Sequence, residues 1–479
     1  MVPRVELDAF LSPKSVAVIG ASERPGSWGS FIMEGLLTWH YPGIICPVNH
    51  NAESVYGIPA YRDVRAIPHD VDLVILAIPE VSVEEALEAC GAKGVKGISI
   101  VTAGFAEAME AGRAREEALA RKARALGMRL LGPNVSGTFN LFAHFNASAA
   151  PAHHLIPTPL AAVCQGSFAL YDVLALGYAR RMGVGKFVQT GNECDLKVTD
   201  FLDYFGKDPQ VRGVVMYLET LRDAQRFMDV ARSVTREKPV VVHKAARTRG
   251  GLRAARSHTG ALGGRGEVYQ GAFAQANVVM APSMDLLLPL GHALVERPPM
   301  RGNRVGIVTM GGSWGVVLTD QLEERGLKVP ELSHSLQGEL RGLGMPVRAS
   351  TRNPVDIGAA GFPNFSMDVV VDIGRRILRS GEVDALILHG LGRPGMLRED
   401  TTAGRRFFLA LEKKAMAGYH GLQQELGSPV LIGCTLSVWE SQAVHDLTQD
   451  GIPIHHRPEE IAHLLWAMQE YWRRRDHGD

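Results

Sequence analysis

The sequence predicts an α/β protein of three doubly wound units, each a mostly parallel sheet covered by helices. Three observations carry that prediction. Short apolar runs alternate with amphipathic segments along the chain, the pattern in which helical crossovers join parallel strands. Glycine-rich stretches follow several of those runs, at strand ends where such sheets hold ligands. The length, 479 residues, is too great for one ordinary core and suits roughly three.

The first unit is expected over 1–150. Its strands are predicted at SVAVIG (15–20), GIICPV (43–48), VDLVILAI (71–78), GISIVTAG (97–104) and MRLLGPN (128–134), with helical stretches such as VSVEEALEACGAKG (81–94) between them. The segment SAAPAHHLIPTP (148–159) breaks the pattern and reads as a linker. The second unit, 151–297, offers PLAAVC (159–164), GKFVQTG (185–191), VRGVVMYLE (211–219), KPVVVHKA (238–245) and ANVVMA (276–281). After the break ERPPMRGN (296–303), the third unit, 298–479, offers RVGIVTMGG (304–312), VDALILHG (383–390), SPVLIGC (428–434) and IPIHH (452–456).

Composition narrows the function classes. Hydrophobic residues make up 46% and charged residues 21%, as in soluble globular proteins. Lys plus Arg equals Asp plus Glu at 51 each, so no basic excess marks a nucleic-acid surface. No apolar run approaches the roughly 18 residues of a membrane span. The start, MVPRVELDAFLSPKS, lacks the apolar core of a signal peptide. Cysteines at 46, 90, 164, 194 and 434 show no CxxC spacing, which suits a reducing compartment and argues against structural zinc. No metal site is expected, and the expected location is the cytoplasm.

GASERPGSWG (20–29) lies between a predicted strand and the helical stretch FIMEGLL (31–37). Free N–H groups and the helix dipole make such a turn an anion site. A nicotinamide dinucleotide fits poorly. The spacing is not GxGxxG, and the second strand ends PVN (47–49) without the acid that would hold a ribose. A different phosphate-bearing nucleotide fits better.

His258 sits in AARSHTGALGG (254–264), expected to be a loop loosened by glycines and offering no apolar face. A neutral imidazole is a good nucleophile at physiological pH. A carboxylate on Nδ1–H would leave Nε2 free to attack. Glu219, ending VVMYLE at the ligand-binding edge of the sheet, is the candidate.

The combined motifs resemble those of the NDP-forming acyl-CoA synthetases, relatives of succinyl-CoA synthetase. GAS..PG..G (20–29), TAGFAE (102–107), LGPN..G..N (131–140), TGN..D....D (190–200), SHTGAL (257–262), TxGGxxGV (309–316) and NPVD (353–356) occur in that order over nearly the whole chain. The resemblance implies a Rossmann-like coenzyme A-binding domain followed by two flavodoxin-like ligase domains. It implies CoA contacts from Gly20, Ser22, Pro25, Gly29, Asn49, Thr102, Gly104 and Asn134. It makes His258 a phosphohistidine and Glu219 its orienting acid, with Gly166 and Ser167 at a phosphate-facing helix start. The implied reaction interconverts acyl-CoA, phosphate and ADP or GDP with carboxylic acid, CoA and ATP or GTP. Nothing in the chain reads as an ATP-grasp domain, so the chain resembles a separate α subunit. Nucleotide and Mg²⁺ would then come through an ATP-grasp β subunit in a hetero-oligomer.

The chain departs from the family's usual motifs in three places. Asn49-His50-Asn51 replaces NPK, Cys164-Gln165-Gly166-Ser167 replaces SQSG, and Val135 replaces a cysteine. These departures keep a second reading open, a non-catalytic CoA- or acyl-CoA-binding protein that retained the fold. A nicotinamide oxidoreductase is disfavoured by the missing acid after Val48.

Overall fold

A computed structural model describes residues 2, 4–108, 112–166, 168–259, 266–345, 348–358, 366–392 and 403–477. It divides into two compact units, one of residues 1–178 and 182–291, the other of 179–181 and 292–479. The first two expected domains therefore pack as one unit.

The first sheet has the order 44–48, 15–19, 73–76, 97–100, 129–131, all parallel. Its central strands LVIL and GISI are buried at every position, as parallel strands covered on both faces must be. The second sheet runs 279–280, 240–244, 213–218, 160–164, 186–189, then 137–140 and 145–148. The last two strands are antiparallel additions that lie within the expected first domain but join the second sheet. They join the two sheets into one core. The helix Trp28–Thr38 lies on strand Phe145–Ser148, and Gly35 allows the approach, since a Cβ there would stand 2.7 Å from the Asn146 carbonyl oxygen. Val16, Ile32, Phe145, Val163 and Phe201 belong to one buried cluster.

A charged knot ties the same two sheets. The Asp195 side chain is 1% exposed. Its carboxylate accepts from Arg124 Nε (2.8 Å), Arg129 Nε (2.8 Å) and the Leu130 N–H (3.0 Å). Burial raises its pKa, but the bonds from Arg129, Leu130 and Arg124 outweigh burial and hold it below the usual carboxylate range. A depressed native pKa stabilises the fold above the unfolded value of about 3.9, and that contribution is lost as pH falls through the native value. Asp195→Asn should destabilise the first unit by about 3 kcal/mol at neutral pH, by removing the buried charge shared by Arg124 and Arg129 and leaving Arg129 only Glu6. The gap in urea midpoint between parent and variant should shrink on acidification below about pH 4. A gap that does not change with pH would exclude this ion pair as its source.

The second unit carries a five-stranded parallel sheet ordered 355–356, 305–309, 385–389, 430–433, 454–455. Its core packs Val308, Leu386, Leu388 and Ile432 against Ile373, Ile377 and Tyr419. Among the described residues, no helix is long and apolar enough to cross a membrane, and no group of three or more His, Cys, Asp or Glu could hold a metal.

Candidate functional site

Strand Ser15–Ile19 delivers the chain to Gly20, whose φ of +90° lies in the left-handed region. Any Cβ there would also run into the Ala77 carbonyl oxygen, so glycine is required twice over. Gly20 N–H donates to the Val48 carbonyl (3.0 Å). Ser27 caps the helix Trp28–Thr38 by accepting from the Ser30 N–H (3.2 Å). A Cβ on Gly29 would strike the Gly20 carbonyl, so the helix start lies hard against the strand end. The N–H groups of Trp28 and Gly29, in the first turn, have no intrahelical acceptor, the condition under which a helix start suits an anion. Pro25 stands exposed at the tip of the turn, and Ser22 Oγ accepts from the Arg24 N–H (3.0 Å). Asn49 braces the turn instead of presenting its amide outward. Its Nδ2 donates to the Ala21 carbonyl (2.8 Å), and its Oδ1 accepts from the N–H groups of Asn51 and Ala52.

A second group of expected residues meets at the ends of strands Gly97–Ile100 and Arg129–Leu131. Thr102 Oγ1 donates to the Ile78 carbonyl (2.6 Å), and the Thr102 carbonyl accepts from the Asn134 N–H (3.0 Å). Asn134 has φ +63° and Gly104 φ +108°. Asn134 Nδ2 is 3.4 Å from Asn192 Oδ1. Asn192 Nδ2 donates to two carboxylates, Glu107 Oε2 and Glu116 Oε1 (2.7 Å). Burial pushes the Glu116 pKa up. Glu107 is half-buried, and donors from Gly104 and Asn192 outweigh its desolvation and hold it below its ordinary value. Asn192, Glu107 and Glu116 lie in or near the TGN and TAGFAE motifs, yet neither motif predicts that they meet.

The third group gathers where strand Leu160–Cys164 ends. Gln165 is 6% exposed and organises it. Its Oε1 accepts from the N–H groups of Glu219 (2.7 Å) and Thr220 (3.0 Å), and its Nε2 donates to the Thr220 carbonyl (2.9 Å). The carboxyl end of strand Gly213–Leu218 is thereby fixed against the start of the helix Phe168–Tyr178. Glu219 is 5% exposed. Tyr217 Oη donates to Glu219 Oε1 (3.3 Å), and a Cβ on Gly166 would lie 3.4 Å from the same oxygen. The two expected residues Glu219 and Gly166 therefore face one another. Lys244 Nζ donates to the carbonyls of Glu219 (2.7 Å) and Ala245 (2.5 Å) beneath the Tyr269 ring, and burial lowers its pKa to about 8.

Gln189 joins the second and third groups. Its Nε2 donates to the carbonyls of Gln165 (3.0 Å) and Asn134 (3.3 Å), while its Oε1 accepts from the Ser136 N–H. One difference from the sequence expectation concerns His258. Residues 249–259 form a helix, and His258 lies on its last turn, not in a loop. Leu, Ala and Arg are strong helix formers and outweigh the paired glycines Gly250 and Gly251. The side chain of His258, the whole of Ser167 and residues 260–265 lie outside the described residues.

Beside a Rossmann-like anion turn stands a flavodoxin-like sheet carrying a buried acid at a helix start, the architecture of CoA-dependent ligases. Residues 14–139 match a family described as a CoA binding domain, and 157–294 one described as a succinyl-CoA ligase like flavodoxin domain. The chain is 33% identical to the acetate–CoA ligase [ADP-forming] II subunit alpha of Pyrococcus furiosus, covering 96% of this chain and 97% of that protein. With the corresponding I subunit alpha it shares 31% identity, covering 98% of each. A solved structure of Ca. Korarchaeum cryptofilum dinucleotide-forming acetyl-coenzyme A synthetase 1, in complex with phosphate and ADP, superimposes with a TM-score of 0.86 at 30% identity, covering 99% and 98% of the two chains. The chain belongs to the family of ADP-forming acid–CoA ligase alpha subunits. It is an acid–CoA ligase of that family, and the reading as a non-catalytic binding protein is set aside.

Proposed function

We propose that this chain binds CoA on its first domain, forms an acyl phosphate beside Asn134, and passes the phosphoryl group through His258 to a nucleotide held by a separate subunit. The observation that carries this reading is the buried Glu219 carboxylate facing Gly166 at a helix start, with its backbone fixed by Gln165.

The pyrophosphate of CoA takes free N–H groups of the turn, among them those of Ser22 and Gly29, while Gly20 and Pro25 shape the turn around it. The acyl thioester reaches Thr102, Gly104 and Asn134. A phosphate oxygen attacks the thioester carbonyl, the C–S bond breaks, and CoA leaves as the thiol after taking a proton. His258 Nε2 then attacks phosphorus, the P–O bond breaks, and the carboxylate leaves. Donors at Gly166 and Ser167 hold the phosphoryl oxygens. Glu219 accepts the Nδ1–H hydrogen bond and balances the positive charge that phosphorylation places on the ring. The phosphoryl group passes last to ADP or GDP with Mg²⁺, on an ATP-grasp β subunit. Run in reverse, the cycle activates a small carboxylic acid.

The partner makes the reading testable. The purified chain given ATP, Mg²⁺, acetate and CoA should form no acetyl-CoA, and adding an ATP-grasp subunit from the same source should restore turnover. Robust synthesis by the chain alone would mean that it carries its own nucleotide site.

A further inference from the structure

A cavity of about 450 Å³ opens beside the glycine turn. Ile19, Val48 and Ile78 line it from the ends of three adjacent strands, with Pro79 next to them. This apolar lining suits a flat purine. The charged groups of the wall are His50, Arg62, Asp63, Arg65, Glu85 and Glu88. Three of the six are already committed. Arg65 forks onto Asp63 through Nε (2.8 Å) and Nη2 (2.5 Å), and Glu88 pairs with Lys122. Arg62 and His50 are exposed and have no hydrogen-bond or ion-pair partner among the described residues. The remaining acid, Glu85, sits on the helix Val83–Lys93 and would repel a phosphate. A larger cavity of about 670 Å³ in the second unit shows the contrast. There Arg375 and Arg379 pair with Glu425, and Arg376 stands opposite Glu339 at 3.5 Å, so every arginine of that wall faces a carboxylate.

We propose that Arg62, with His50 beside it, holds the ribose 3′-phosphate of coenzyme A and makes this chain select CoA over its 3′-dephospho form. The inference rests on the CoA reading above. The cavity wall includes none of residues 21–29, so the backbone donors that suit the pyrophosphate lie outside it. A purine seated between Val48 and Ile78 brings its own ribose to the rim. The phosphate that must be met there is the one on that ribose. A guanidinium meets it with two parallel N–H···O bonds, an arrangement an ammonium cannot copy. This assignment also gives the second strand's ending a role. An acid after Val48 would bind ribose hydroxyls and repel a 3′-phosphate, and the chain has Asn49-His50 there instead.

Calorimetry on the full chain with CoA and with 3′-dephospho-CoA tests the assignment. The parent should bind CoA about tenfold more tightly than 3′-dephospho-CoA, the scale of one good charge-assisted pair. Arg62→Ala should weaken CoA about tenfold, leave 3′-dephospho-CoA unchanged, and so abolish the discrimination. Arg62→Lys should restore only part of it. Equal weakening of both ligands would mean that Arg62 acts on another part of the molecule or on the fold, and would overturn the assignment. So would a parent that does not discriminate. A parent that binds neither ligand would refute the CoA reading itself, and this assignment with it. Arg62 is exposed, so the variants should fold, and matched thermal melts would confirm it.

Discussion

His258→Ala in the assembled α/β complex should lose acyl-CoA synthesis by on the order of 10⁶-fold, the scale of removing a covalent nucleophile. Without the imidazole the phosphoryl group has no carrier from ATP to the acid, so in the direction of synthesis no acyl phosphate should form. CoA affinity should be unchanged, because the glycine turn at 20–29 and the helix Arg249–Thr259 are separate elements. The thermal midpoint should also hold, since Ala is the best helix former at a helical position. The assay is initial rate with acid, CoA and ATP, with calorimetry for CoA alongside. A variant that keeps full turnover would exclude covalent transfer through this residue.

Glu219→Gln should slow phosphorylation by about 10³- to 10⁴-fold, by analogy with loss of the orienting aspartate in serine proteases. The change keeps the volume of the side chain. It also keeps the two backbone contacts that position the residue, from Glu219 N–H to Gln165 and from Lys244 to the Glu219 carbonyl. An amide can still accept the Nδ1–H bond, but it cannot balance imidazolium charge. The effect should therefore fall on the rate of phosphoryl transfer and not on the KM for CoA. A slowing of less than tenfold would reduce Glu219 to a packing residue.

Much of this architecture is legible in the sequence because parallel strands buried on both faces must be continuous apolar runs. LVIL, VVVHK and ALILH each fall inside a predicted strand. The antiparallel pair GTFN and FNAS escapes that signal, because apart from one Phe in each strand its residues are small or polar, and the helix Trp28–Thr38 lies over the second of them. The site divides in the same way. Gly20 and Gly29 are readable because backbone geometry demands glycine, and Glu219 because an acid rarely ends a buried strand. Gln165, Gln189 and Asn192 are not readable. A neutral amide has no periodicity, and its partners come from strands brought together only by the fold. Asn49 carries a bracing role that its position alone does not show. Its place after the second strand suggests ligand contact, but its side chain is spent on the turn. The helix around His258 carries paired glycines, a loop signal, but its alanines and arginines favour the helix.

The central claim is that a phosphoryl group passes through His258. The most direct measurement supplies the protein with acetyl-CoA and radiolabelled phosphate, without nucleotide, and maps the label by peptide. The account predicts one labelled peptide spanning residues 257–262, stable in base, lost in acid, and discharged by ADP and Mg²⁺ once the partner subunit is present. If the assembled complex turns over while the label maps to another residue, or while none forms at all, transfer through His258 is contradicted.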